Sequence, residues 1–215
     1  LLVFVKNDLE DKITVRNELM CHGFPSVWIE LQHGETDKTL FVFFYREWSH
    51  GSGEEAKASR SIEKQGERFK IFLQQIEEAT KKCKNVVCMG DANLNVNKFS
   101  DPRYELKNLV SDLQITLARC GLELIDVGNT YQAFRTDNEG QPIVSAIDHV
   151  YASEASKCLV EVSKIIKGLS DHDPVILRFE AKLKIFRFVR ELNTPPCPMN
   201  KLQITNDVRK SLLTH

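Results

Sequence analysis

Apolar and polar positions alternate along the chain with two different periods. Short runs rich in Val, Ile, Leu and Phe at 1–6, 26–31, 39–45 and 86–90 stop at turn residues and predict strands. The first stops at Asn7-Asp8, and the next two are joined by His33-Gly34-Glu35-Thr36-Asp37-Lys38, which predicts a hairpin. The polar, glycine-containing stretch 49–60 predicts an exposed loop. After it the period changes: over 61–82, Ile62, Phe69, Phe72, Leu73, Ile76 and Ala79 recur at helical spacing with Glu and Lys between them, the pattern of an amphipathic helix docked on a sheet.

A second helix is predicted over 106–120, with Leu109, Leu113, Leu117 and Cys120 on one face and Gly121 just past its end. Between the strand at 86–90 and this helix lies a polar loop, 95–103. Shorter strands are predicted at 122–126, 130–135, 146–152, 159–166 and 174–183, with a turn-rich loop at 136–142. In the last of these strands Val175, Leu177, Phe179 and Ala181 share a face. Strands outnumber helices and the two long helices fall between them, so the expected architecture is α/β, with sheets and helices packed outside. Past Leu183 basic and aromatic residues interleave and a proline cluster follows, which predicts a domain over 1–183 and a linker or tail over 184–215.

Composition narrows the classes. At 215 residues and 42% hydrophobic the chain can bury a real core. Its 29 basic and 30 acidic residues leave a formal charge of -1, so no global field draws it to nucleic acid or membrane, and any polyanion must be met by a local patch or by bound cations. The six cysteines, at 21, 83, 88, 120, 158 and 197, form no Cys-x-x-Cys pair and read as reduced thiols of an intracellular protein, nuclear or cytoplasmic. No apolar run is long enough to span a membrane. The chain opens on Leu1 within a strand-like run, which suggests a piece of a longer polypeptide.

The candidate chemistry sits where strands end. Asn-Val-Val-Cys-Met-Gly-Asp-Ala-Asn over 85–93 is an apolar run stopped by Gly90, followed by Asp91 and Asn93, two apart and able to face one site. Ser145-Ala146-Ile147-Asp148-His149 and Ser170-Asp171-His172-Asp173-Pro174 repeat the arrangement. Strands of one sheet would bring these edges together into a cleft. Carboxylates that hold a hard cation or orient water, an imidazole buttressed by a carboxylate, and an amide to position oxygens suit metal-assisted phosphate ester hydrolysis. Each residue has a plainer reading: Asp91 and Asn93 as an Asx turn, Asp171 as a turn cap, Asp148 and His172 bonded to nearby backbone. Singly those readings hold up well; the three clusters together are far more specific.

These clusters, with Tyr45 at the end of its strand, resemble the endonuclease/exonuclease/phosphatase superfamily, which includes deoxyribonuclease I, across residues 1–183. Within it, Tyr45-Arg46-Glu47-Trp48, the Phe-rich helix and Gly-Leu-Glu-Leu-Ile-Asp over 121–126 look most like endonuclease domains of non-LTR retrotransposons, which precede a reverse transcriptase. The resemblance implies a four-layer α/β sandwich, two mainly antiparallel sheets flanked by helices and incomplete at its N-terminus. It implies Mg²⁺ or Mn²⁺ as cofactor and DNA as substrate. Asp91 would activate water, Asn93 and His172 would bind the scissile phosphate, and Asp148 would orient His172. Tyr45 would bond a phosphate oxygen, Asp171 would sit near the metal, and Ser170 would tie its loop together. His149 is left a structural residue.

The family's pattern begins with a strand carrying Asn, a helix and a strand ending in a metal-binding Glu, and none of Glu10, Glu18 or Glu30 follows such a strand and helix. The expectation is a truncated domain with weak Mg²⁺ affinity and little or no activity, dependent on a missing N-terminal segment and leading toward a downstream reverse transcriptase. A phosphoesterase of small or lipid substrates, or a degenerate non-catalytic fragment, are the alternatives. Lys98, Arg103, Lys107 and Arg135 are the cations nearest the clusters in sequence, either a phosphate-tracking surface or ordinary solvated residues.

Overall fold

The computed structural model describes residues 1–20, 23–47, 62–157, 160–164 and 170–179. The stretch 49–60, the tail 184–215 and the boundary before it lie outside them. Ten strands are described: β1 (Ile13–Val15), β2 (Ser26–Gln32), β3 (Lys38–Tyr45), β4 (Val86–Asp91), β5 (Leu122–Ile125), β6 (Tyr131–Thr136), β7 (Pro142–Ser145), β8 (Asp148–Ser153), β9 (Val160–Lys164) and β10 (Val175–Phe179). Three α-helices accompany them: α1 (Ile62–Lys82), α2 (Lys107–Arg119) and the single turn α3 (Glu154–Lys157). Six strands form one sheet in the order β1-β2-β3-β4-β8-β5, while β6-β7 and β9-β10 are two-stranded antiparallel ribbons.

Strand alternation decides what each face of the large sheet carries. From β3 the residues Leu40, Val42 and Phe44 point to α1 and α2, joined by Trp28 of β2, Val86 and Cys88 of β4, and Tyr151 of β8. The helices answer with Phe69, Phe72, Leu73, Ile76 and Ala79 of α1 and Leu109, Val110, Leu113 and Leu117 of α2. Phe24, Phe44, Phe69 and Phe72 make an aromatic cluster in which Phe24 stacks on Phe72 at 4.4 Å. Each such ring contributes about 2–3 kcal/mol by leaving water. The opposite face carries Phe41, against which Phe179 of the β9-β10 ribbon packs edge-on at 5.1 Å.

The predicted hairpin is β2-β3, the predicted helices are α1 and α2, and α2 does end at Gly121, whose φ is 69°. Two expectations fail. Residues 1–6 form no strand, and Leu2 and Phe4 stand 82% and 91% exposed, because β propensity is realised only where a partner edge exists. The edge of β2 is taken instead by β1, three residues without a strong pattern, paired Thr14 to Glu30. The loop expected at 136–142 is found over 137–141, followed by β7, and the strand expected from 146 starts at Asp148. Ala146 and Ile147 instead turn their carbonyls to the N–H groups of Val96 and Ala92.

Candidate active site

Three side chains named from the sequence fall in one row across three strands. β3 and β4 run parallel with Tyr45 beside Asp91, and β4 and β8 run antiparallel with Asp91 beside Asp148. A period of two and this register place Tyr45, Asp91 and Asp148 on the face away from the helices, at one end of the sheet. The fourth member, His172, arrives from the loop before β10. Its Nδ1 lies 3.0 Å from Asp148 Oδ2. Asp91, Asp148 and His172 each offer a ligand atom within 4.8 Å of the others.

Gly90 has a specific reason to be there. A Cβ built on it would sit 1.9 Å from the carbonyl oxygen of Phe44, so only glycine lets β4 lie against β3 one residue before Asp91. Beyond the strand the chain turns tightly. Asn93 takes the left-handed conformation, φ 48°, which asparagine tolerates better than most residues. Its N–H donates to Asp91 Oδ1 at 2.8 Å and its Nδ2 donates to Asp91 Oδ2 at 3.2 Å and to the Arg46 carbonyl at 2.6 Å. The turn is thus an Asx turn and a site at once, with Asn93 buried and its amide directed at Asp91.

The opposite side is built as closely. Thr130, fully buried, accepts the Asp148 N–H at 3.0 Å. The loop carrying His172 is clipped to β6: Gln132 N–H donates to the Asp171 carbonyl at 2.9 Å, and Asp173 N–H donates to the Thr130 carbonyl at 2.7 Å. The Tyr131 ring meets the imidazole edge-on at 5.2 Å. Ser170 Oγ accepts the His172 N–H at 3.1 Å.

Other named residues stand outside this group. Asp171 has its carboxylate against Ser170 Oγ at 3.4 Å and is not among the three clustered ligands. Lys98 and Arg135 are exposed, as is Arg103, which pairs with Asp101 at 3.4 Å. Tyr45, which belongs to the row, is 38% exposed. His149 is structural, as expected: buried, its Nε2 bonds the carbonyls of Leu94 and Ala146, its Nδ1 meets the Tyr151 hydroxyl, and burial lowers its pKa. Arg46 is the residue that sequence reasoning passed over. It is buried beside the Asp91 turn, and the only signal was its place directly after Tyr45.

Electrostatics set Asp91 apart. Burial pushes its carboxyl up to about 6, and the charge of Asp148 adds to the rise. The Asn93 N–H and the positive charges of His172 and Arg46 oppose it. Asp148 and His172 remain partly open, at 21% and 33% side-chain exposure. The arrangement can orient water at one carboxylate, hold an imidazole with the other, and leave both reachable from outside. Two carboxylates and an imidazole on separate segments also fit a divalent cation completed by water and phosphate oxygens.

No family model and no curated protein matches the chain. Solved structures do. It is similar to the endonuclease domain of TRAS1, a telomere-specific non-LTR retrotransposon, at 17% identity and a TM-score of 0.58, over 82% of this chain and 71% of that one. It is similar to the 3′-5′ exonuclease NExo of Neisseria meningitidis at 16% identity and 0.50, over 72% of this chain and 64% of that one. A further likeness, at 14% identity, is to the Neisseria 3′ phosphatase NExo bound to product DNA hairpin. The fold is an α/β one of a mixed multi-stranded sheet, small ribbons and outer helices. It is a deoxyribonuclease I-like fold, shared with the TRAS1 endonuclease domain.

Proposed function

We propose that this chain hydrolyses phosphodiester bonds of DNA with the help of a divalent cation, as the endonuclease domain of a retrotransposon polyprotein that also carries a reverse transcriptase. The observation that carries the reading is the row Tyr45–Asp91–Asp148, closed by His172 at 3.0 Å from Asp148. Asp91 accepts the proton of the attacking water, a task suited to a carboxyl held near 6. Asp148 fixes the imidazole of His172, which contacts the scissile phosphate. Tyr45 bonds a phosphate oxygen, and Asn93 keeps the Asp91 carboxylate turned outward. Asp91 and Asp148 are the carboxylates that would hold the cation, which would supply charge neutralisation at the phosphate.

Support for DNA comes from the named structural neighbours and from the partial exposure of Tyr45, Asp148 and His172. Support for an intracellular, nuclear or cytoplasmic setting comes from Cys83, Cys88 and Cys120, all unpaired. No helix among the described residues is long and apolar enough to cross a membrane. The test sets supercoiled plasmid beside soluble phosphomonoesters, each with Mg²⁺ and with Mn²⁺. Nicking without monoester turnover is the expected result, and monoester turnover alone would replace this reading with a phosphoesterase.

A further inference from the structure

Arg46 is 2% exposed, and the oxygens that its guanidinium bonds are all uncharged. Nε donates to the Ala92 carbonyl at 2.7 Å and Nη2 to the Asn93 carbonyl at 3.0 Å, while Nη1 bonds the Gln65 side chain and, at 3.5 Å, the Glu47 carbonyl. Its backbone is engaged with the same turn: its N–H donates to the Asp91 carbonyl at 2.9 Å and its carbonyl accepts Asn93 Nδ2 at 2.6 Å. Residues 91, 92 and 93 are therefore all held by this one residue, which also reaches Gln65 in the first turns of α1.

Burying a cation among neutral oxygens costs several kcal/mol. A neutral amide could tie a strand to a turn more cheaply. A planar, permanently charged fork does two things that an amide cannot. It draws two successive carbonyls of the turn to one side, which suits the left-handed backbone of Asn93. It also sets a positive charge beneath a site that gathers two carboxylates, Asp91 and Asp148.

We infer that Arg46 is a positioning residue, holding the 91–93 turn so that the Asp91 carboxylate stays in reacting geometry. The inference rests on the reading of this site as a hydrolytic centre. The experiment compares the wild-type chain with Arg46→Met and Arg46→Lys by amide exchange and by nicking kinetics. In Arg46→Met the protection of the Asn93 amide, which donates to Asp91, is expected to fall about tenfold or more while that of Cys88 in β4 is kept. Turnover should fall about 100-fold, the cost of a displacement of about 1 Å, with KM changed less than about threefold. Arg46→Lys should recover part of the turnover, since the charge returns without the fork. Wild-type protection at Asn93 together with wild-type turnover in Arg46→Met would overturn the inference. So would a loss at Cys88 as large as at Asn93, which would make Arg46 a residue of general stability. A wild-type chain that cuts nothing would end the hydrolytic reading, and the exchange comparison would still decide whether Arg46 holds the turn.

Discussion

The two faces of the β3-β4-β8 sheet, one covered by helices and the other carrying the acidic row, are built from neighbouring residues of the same strands. Phe44, Cys88 and Tyr151 point into the core, and Tyr45, Asp91 and Asp148 point away from it. The helix face is apolar, fully buried and tolerant only of shape. The other face bears two carboxylates and an imidazole that gain nothing for stability by being brought together. The difference teaches how the site is held: its geometry is inherited from the strand register, and the register is fixed by the core one residue away.

The largest test of that division is a pair of truncations on one strand. Phe44→Ala should cost about 3–5 kcal/mol, because its ring is buried among Phe24 and Phe72. Phe43→Ala, on the half-covered face, should cost less than half as much in the same denaturant titration. Equal losses would mean that both faces are equally packed. Gly90→Ala comes next, at about 3 kcal/mol, since its methyl would have to displace the β3 backbone at Phe44. Because the displaced strand end carries Tyr45, the same substitution should also lower nicking out of proportion to the population unfolded.

Smaller effects sharpen the contrast from the side of the site. Asp91 ionises less readily folded than unfolded, so the folded state holds the extra proton between about 4 and 6. Stability from this group therefore falls as pH rises through that window and stays at its lower value above it. Asp91→Asn should remove the fall and leave the protein about 1 kcal/mol more stable at pH 7, after allowance for partial exposure, while abolishing nicking. A pH series of denaturation curves checks the sign, and a less stable variant at pH 7 would refute it. Nicking itself should rise with pH through about 6 as Asp91 loses its proton, seen as an acid limb in kcat/KM.

Much of this was legible in the residues, for reasons that differ by element. The helices α1 and α2 were readable because a one-sided apolar stripe has no other use, and Asp91, Asp148 and His172 because each follows or opens a strand edge. What misled was pairing. The run at 1–6 has strand composition and no partner, while Ile13–Val15 has little signal and a partner in β2. Arg46 was hidden because a buried cation bonded to carbonyls leaves no pattern: its partners lie 46 and 47 residues away in sequence. Asp171 shares its motif with His172, and its carboxylate accepts the Ser170 hydroxyl at 3.4 Å.

The most direct test of the central claim, that the row and His172 form one hydrolytic centre, is the rate of supercoiled-plasmid nicking across a Mn²⁺ and Mg²⁺ titration for the wild type and His172→Ala. Slow, weakly metal-saturable nicking is expected of the wild type, reduced about 100-fold or more in His172→Ala with thermal stability unchanged. Nicking that persists undiminished in His172→Ala, or none by the wild type at any concentration of either metal, would contradict it.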